Sequence, residues 1–230
     1  FNNFGIRKSL LYYDAVNNEQ REIIYKERRQ VLDGENMQGV IENMIRDIVD
    51  GTVDMCFSDD VDSNEWDLAE FNTTLIPMIP VKPLNGESVK GKGKKKVKEA
   101  LKEEALQLYG EKEKEFPESE QFRELERVFL LKVIDSKWMD HIDDMEALRQ
   151  GIGLAAYGQR DPVVEYKMNA YDMFNGMTDA IQQDTVRALY HVRVEQKVER
   201  EQVAKVTGTN KDDSAQRTPT KRADAKVYPN

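Results

Sequence analysis

Residues 86–93, Gly86-Glu87-Ser88-Val89-Lys90-Gly91-Lys92-Gly93, come within one residue of a nucleotide-binding loop. That loop, G-x-x-x-x-G-K-[ST], cradles phosphates on backbone N–H groups and needs a hydroxyl after the lysine to hold magnesium. Here Gly93 occupies the hydroxyl position and lysines follow, so the segment reads as a solvated, mobile lysine loop. Asp60-Val61-Asp62-Ser63-Asn64 imitates the start of a calcium loop. Its sixth position is Glu65 instead of the turn glycine and its twelfth is Phe71 instead of the bidentate glutamate, which leaves an acidic surface loop. His141 has Asp140, Asp143 and Asp144 nearby, but on one helix Asp143 and Asp144 point in different directions. Neither His141 nor His191 has metal-ligand spacing, and an ordinary histidine at the edge of a packed face is expected. No catalytic, cofactor-binding or metal-binding residue emerges. One side chain stands out as a contact residue. Tyr157 lies between Ala155, Ala156 and Gly158, which offer it little local packing. On an exposed turn it would present ring area and a hydroxyl; the alternative is a tyrosine folded back onto its own hairpin.

Two long helical patterns would position Tyr157. Phe122, Leu125, Phe129, Val133, Trp138, Ile142, Met145 and Leu148 lead in, and Ala170, Phe174, Met177, Ile181, Thr185, Ala188 and Val192 lead out. Spacing of three and four residues puts each set on one helical face. Between them lie Gly151, Gly153 and Gly158, then Asp161-Pro162. Glycine releases the backbone, and proline bars the residue before it from helix while favouring a first turn after it. The spacing therefore predicts two antiparallel helices, from roughly residue 117 to residue 200, joined by a tip. Trp138 and its apolar neighbours are expected to be core.

Upstream, residues 1–33 predict one long helix carrying Ile6, Leu10, Tyr13, Val16, Ile24, Val31 and Leu32, stopped by Asp33-Gly34. Its apolar face is interrupted by Asn17, Asn18 and Gln20, a pattern expected where a helix meets a partner outside the chain. A second helix is predicted at about 37–57, a short one at about 65–71, and another from Lys98 through Tyr109. Pro77, Pro80 and Pro83 prevent residues 73–84 from being helical throughout. Beyond Lys205 small polar and charged residues predict a disordered tail. The fold class is all-α.

Charged residues make up 33% of 230 residues, with net charge −9 and pI near 5.0. An acidic chain lacks the basic face a general nucleic-acid binder needs, so no nucleic acid is expected. No apolar run is long enough to span a membrane, and the single Cys56 excludes an internal disulfide or a Cys-based zinc site. The chain reads as soluble and intracellular. Its start at Phe1, without methionine, predicts a fragment of a longer protein.

Several motifs resemble the SecA family of bacterial preprotein translocase motors. Ile6-Arg7-Lys8-Ser9-Leu10-Leu11-Tyr12-Tyr13-Asp14-Ala15-Val16, with Gln20-Arg21, is similar to that family's scaffold helix. Leu148-Arg149-Gln150-Gly151-Ile152 through Tyr157, Gln159, Asp161-Pro162 and Glu165-Tyr166 resembles its two-helix finger, and Ser136-Lys137-Trp138 with His141 the helix leading in. Residues 225–230 resemble the segment before the family's Cys/His zinc motif. The resemblance implies a scaffold helix at 1–33, a helical wing at 34–115, a finger at 116–200 and a truncated C-terminal linker at 201–230. It implies that Tyr157, with Leu154 and Ala156, touches the moving polypeptide. It also implies that Arg7, Tyr13, Asp14, Gln20, Arg21, Trp138 and Arg149 couple the finger to the motor and regulate it. Ala15 stands where a second aspartate is common, and Ala155 where a basic residue is common near the tip.

The implied partners are unfolded preprotein, the SecY channel, the family's motor domains, an anionic membrane surface and a second copy of the protein. The implied location is cytoplasmic, at the inner face of the cell membrane. ATP and magnesium would serve the parent and zinc only a complete tail. The fragment itself is expected to bind no cofactor and to be inactive as an ATPase. The alternatives are a helical-hairpin interaction module or cochaperone without a motor, and a nucleotide-binding enzyme acting through the Gly86 loop.

Overall fold

The computed structural model describes residues 2–34, 36–58, 61–152 and 161–193, with side chains from Leu10 onward. The described residues are helical, with no strand among them. Helix α1 (Asn2–Leu32) ends at Asp33 and Gly34, and Gly34 has φ of 80°, the left-handed conformation that the stop requires. After α2 (Gln38–Cys56) come a single 3₁₀ turn (Ser63–Glu65), α3 (Leu68–Leu75), α4 (Gly86–Val89) and α5 (Lys94–Lys114). The long pair is α6 (Ser119–Gly151) and α7 (Pro162–His191). As the sequence predicted, Pro162 opens α7 behind Asp161, whose carboxylate accepts from the Val163 N–H at 2.9 Å. Lys137 of α6 meets Asp184 of α7 at 2.7 Å, while Met145 and Ile152 pack with Tyr166, so the two helices run antiparallel.

Two expectations for the middle of the chain need correction. Residues 86–98 form no mobile loop. Asn85 and Ser88 close a reciprocal capping box around α4, and Gly91 turns the chain at φ 70° into α5, which starts at Lys94. The lysines are held across the gap to α2: Lys94 and Lys98 each reach Asp54 at 2.9 Å, and Lys102 reaches Asp50 at 2.8 Å. The repulsion that makes a lysine run look mobile is cancelled by an aspartate pair one helical turn apart. The helix expected at 65–71 is displaced to Leu68–Leu75, with Asp67 as its cap, accepting from the Glu70 N–H at 2.8 Å. The proline segment beyond is fixed by Asn72, which donates to the Leu84 carbonyl and accepts from the Leu84 N–H, both at 2.9 Å.

On α7 the expected Ala170, Met177, Ile181 and Thr185 are buried, whereas the buried face of α6 is rotated from the expected one. Phe122, Trp138 and Met145 are buried as expected, but Leu130 and Ile134 replace Phe129 and Val133 as the deepest apolar residues, and Ile142 is exposed. Four-residue steps from Phe122 run through Glu126 to Leu130, Ile134 and Trp138, and a charged residue in that series hides it from an apolar count. Glu126 has no exposure and lies where α5, α6 and α7 converge. Tyr109 and Arg123 both donate to its Oε1, Arg123 also pairs with Glu113, and Tyr190 of α7 donates to the Ala105 carbonyl at 2.7 Å.

Burial pushes the Glu126 carboxyl up to about 8, against the pull of the Arg127 charge. An unfolded glutamate titrates near 4.3, so the folded chain holds the extra proton between those values. Stability from this group is complete below about 4.3 and is lost as pH rises through about 8. Glu126→Gln, which keeps an acceptor for Tyr109, should flatten the decline in urea-unfolding free energy over that window. An unchanged decline would count against the buried acid as its source.

Candidate functional site

Helix α1 lies along the hairpin, antiparallel to α6, and three layers of contact fix it there. Near the tip end, Tyr13 stacks obliquely on Tyr166 at 4.3 Å between ring centres, with Met145, Ile152 and Ala170 around them. At the other end Ile24 and Val31 join Leu130, Ile134, Trp138, Met177 and Ile181 in the main core. Between these apolar clusters sits a polar layer. Gln20 donates from Nε2 to the Ala170 carbonyl at 3.0 Å, leaving its Oε1 to accept from His141 Nε2–H at 2.9 Å. One turn nearer the tip, the Tyr166 hydroxyl donates to Asn17 Oδ1 at 2.9 Å. Outside the layer, Arg28 forks onto Asp135, with Nε at 2.7 Å.

This arrangement corrects the reading of the polar gap. Asn17 and Gln20 find their partners inside the chain, on α6 and α7. The physical reason is geometric: positions 13, 17, 20 and 24 share one helical stripe, so Gln20 is buried with it and the half-buried Asn17 is turned toward α7. It also corrects the placement of His141, which is buried at 3% exposure instead of standing at the edge of a face. Its polar character and its position in the apolar stripe of α6 were the signal that could have paired it with Gln20.

The structure separates the ten candidate residues into three groups. Tyr13, Gln20 and Trp138 are buried in the three-helix contact, where Trp138 meets Tyr25 edge-on at 6.4 Å and lies 5.6 Å from the His141 ring. Any influence they have on a partner must pass through helix positions. Asp14, Arg21 and Arg149 are exposed, and Arg149 pairs with Glu146 at 2.8 Å while the Asp14 charge also acts on it. Tyr157, Leu154 and Ala156 lie outside the described residues, as does the Arg7 side chain and the expected disordered tail.

The outward face of α1 carries a different signal. Leu10, Leu11, Tyr12, Ile23, Tyr25 and Leu32 are all exposed by 41% or more. Tyr25 and Leu32 line a groove along α1 and α6 with Arg21, Lys26, Arg28 and Arg29 and the acids Glu22, Asp33 and Asp135, and it runs past Trp138 and Met139. The exposed apolar residues fall in two groups, Leu10 to Tyr12 and Ile23 to Leu32, separated by about three helical turns.

The near-match to a phosphate loop does not fit a nucleotide. Its glycines serve α4 and a turn, and Lys94, Lys98 and Lys102 beyond it are committed to Asp50 and Asp54. Asp62 of the calcium-like stretch caps its own 3₁₀ turn, accepting from the Asn64 N–H at 3.0 Å. Among the described residues no group of three His, Cys, Asp or Glu side chains is placed to hold a metal ion, and no helix is long and apolar enough to cross a membrane.

A long helix is bonded along an antiparallel hairpin, with a smaller helical unit packed at the hairpin's base, the layout of a helical scaffold. The chain belongs to the SecA wing and scaffold family: the family model described as SecA Wing and Scaffold domain matches residues 1–193. It is 60% identical over 231 residues to the protein translocase subunit SecA of Lachnoclostridium phytofermentans, covering 100% of this chain and 27% of that protein. Against the proteins of the same description from Clostridium novyi and Clostridium botulinum (strain Okra / Type B1), identity is 43% and 47%, over 98% and 96% of this chain and 27% of each relative. The chain thus spans about a quarter of the length of these relatives.

Burial pulls the His141 imidazole below its ordinary value, against a weaker opposing effect of Asp144. A buried neutral histidine binds fewer protons than the unfolded chain near and below pH 6.5. Its stability contribution is present above that value and is lost as pH falls through the folded pKa. Urea unfolding between pH 7 and 5 should show this loss, and His141→Gln should reduce it; parallel pH profiles would assign the loss to other groups.

Proposed function

We propose that this chain is the scaffold, wing and finger portion of a SecA-type translocase, a motor that moves unfolded preproteins through the SecY channel. The carrying observation is the family match over residues 1–193. In this reading residues 1–33 and 116–200 act as scaffold and finger, residues 34–115 as the wing and residues 201–230 as a linker. The parent is an ATP- and magnesium-dependent enzyme acting at the cytoplasmic face of the membrane, with anionic lipid and a second copy as further partners.

The geometry supports a stiff lever. Helices α6 and α7 have 33 and 30 residues, about 50 and 45 Å at 1.5 Å per residue. Bonding of α1 along them would let a displacement at the exposed α1 face arrive at the tip without being absorbed by bending. The exposed apolar and basic side chains of α1 supply the face for the motor domains. Tyr13, Gln20 and Trp138 hold helix to hairpin, the exposed Asp14, Arg21 and Arg149 contribute charge at the surface, and Arg7 is assigned to the same coupling by the family resemblance. Tyr157, with Leu154 and Ala156, contacts the extended substrate through a ring that tolerates any sequence. Nucleotide chemistry belongs to the rest of the parent, and the 230-residue chain alone should turn over no ATP.

Tyr157→Ala in the longer protein should lower the preprotein translocation rate about tenfold or more, while the thermal midpoint shifts by less than about 2 °C, as for an exposed substitution. Wild-type transport by that variant would remove the tip from the mechanism.

A further inference from the structure

A cavity of about 410 Å³ opens between the last turns of α1, the first half of α2 and the middles of α6 and α7. Val31, Met37, Leu130, Ile134 and Ile181 line it, each no more than 4% exposed, so its floor is apolar. At its mouth stand two exposed carboxylates, Glu27 of α1 and Asp47 of α2. Among the described residues neither makes a hydrogen bond or ion pair, and no Lys, Arg or His lines the cavity. The nearby cation Arg46 is committed to Glu42 at 3.0 Å and Asn43 at 2.8 Å. Desolvation raises the Glu27 carboxyl above its ordinary range, as for an anion without a countercharge.

The volume falls in the range of small-molecule sites, and an apolar floor with a few converging polar groups is their usual construction. Methionine lets the wall follow the shape of an occupant. Anions are repelled by both carboxylates. A bare metal ion would find two carboxylates and, among the described residues, no third charged ligand: the other oxygens of the lining belong to the neutral side chains of Gln30, Asn43, Thr178 and Gln182. We propose that this cavity binds a small organic cation, its ammonium or guanidinium group met by Glu27 and Asp47 and its compact aliphatic or aromatic body seated on the Met37–Ile134 floor. The site is independent of the finger tip and of the translocase reading.

The test is a titration of the full 230-residue chain, labelled at its methionine methyl groups, with 4-phenylbutylammonium and with its neutral counterpart 4-phenylbutanol. Saturable shifts are expected at Met37 and Met44, with Met145 unmoved, and the alcohol should bind at least about fivefold more weakly. Glu27→Gln and Asp47→Asn should each weaken the ammonium by about fivefold, the upper worth of an exposed ion pair, and leave the thermal midpoint unchanged because neither carboxylate holds the fold. Equal affinity for the alcohol would overturn the proposal without any variant. Shifts of similar size at exposed Met55, Met139 and Met168 would overturn it as non-specific adsorption. A response to a lysine-rich peptide but not to the small cation would also overturn it, assigning the groove to a partner polypeptide.

Discussion

One buried amide, that of Gln20, decides how the three long helices sit against one another. Its donor is spent on the Ala170 carbonyl of α7 and its acceptor on His141 of α6, so a single side chain of α1 reads both arms of the hairpin. Apolar packing alone is tolerant: Tyr13, Ile24 and Val31 would find hydrophobic neighbours in more than one register. A polar layer is not tolerant, because sliding α1 by one turn would bury an unpaired amide and an unpaired imidazole at about 1–3 kcal/mol each. Buried polar groups specify register best where apolar surface lies on both sides of them. Here one cluster lies towards Tyr166 and the other towards Trp138.

At the base of the hairpin the same logic recurs with charge. Glu126 accepts from Tyr109 and Arg123, and the Tyr109 ring packs against Phe122 and Tyr190, which joins α5 to α6 and α7. The Lys94, Lys98 and Lys102 row then lays α5 along α2 through Asp54 and Asp50, at the surface where salt weakens it. Specific polar contacts therefore fix the middle and the base of the hairpin, while the apolar clusters around them supply the bulk of the burial. The hairpin is gripped at its middle and at its base, and the exposed apolar residues of α1 are left outward.

Much of this was legible in the residues. The extents of α1 and α6 and the start of α7 followed from helical spacing bounded by Asp33-Gly34 and Asp161-Pro162, because caps and breakers act locally; α7, expected to run to about residue 200, instead ends at His191, where Val192 turns extended. The partners of Asn17, Gln20 and His141 were not legible. They lie 149, 150 and 121 residues apart in sequence, and only the docking of α1 on the hairpin brings them together. Polar residues on an apolar stripe were read as a face for an outside partner when they were matched to one another within the chain. The lysine segment was misread for a related reason: its charge is balanced by aspartates on another helix, at a sequence distance of about 40 residues. Local chemistry was readable, and long-range pairing of polar groups was the part that needed the fold.

The central claim, that Gln20 and His141 act as one unit holding α1 in register, is tested most directly by a double-mutant cycle. Urea unfolding would be measured for the 230-residue chain, for Gln20→Ala, for His141→Ala and for the double variant. Shared loss of one buried hydrogen bond predicts that the double variant costs less than the sum of the single ones, by about 1 kcal/mol or more. Effects that add to within about 0.3–0.5 kcal/mol would mean that the two residues do not act together, and the register account would fail.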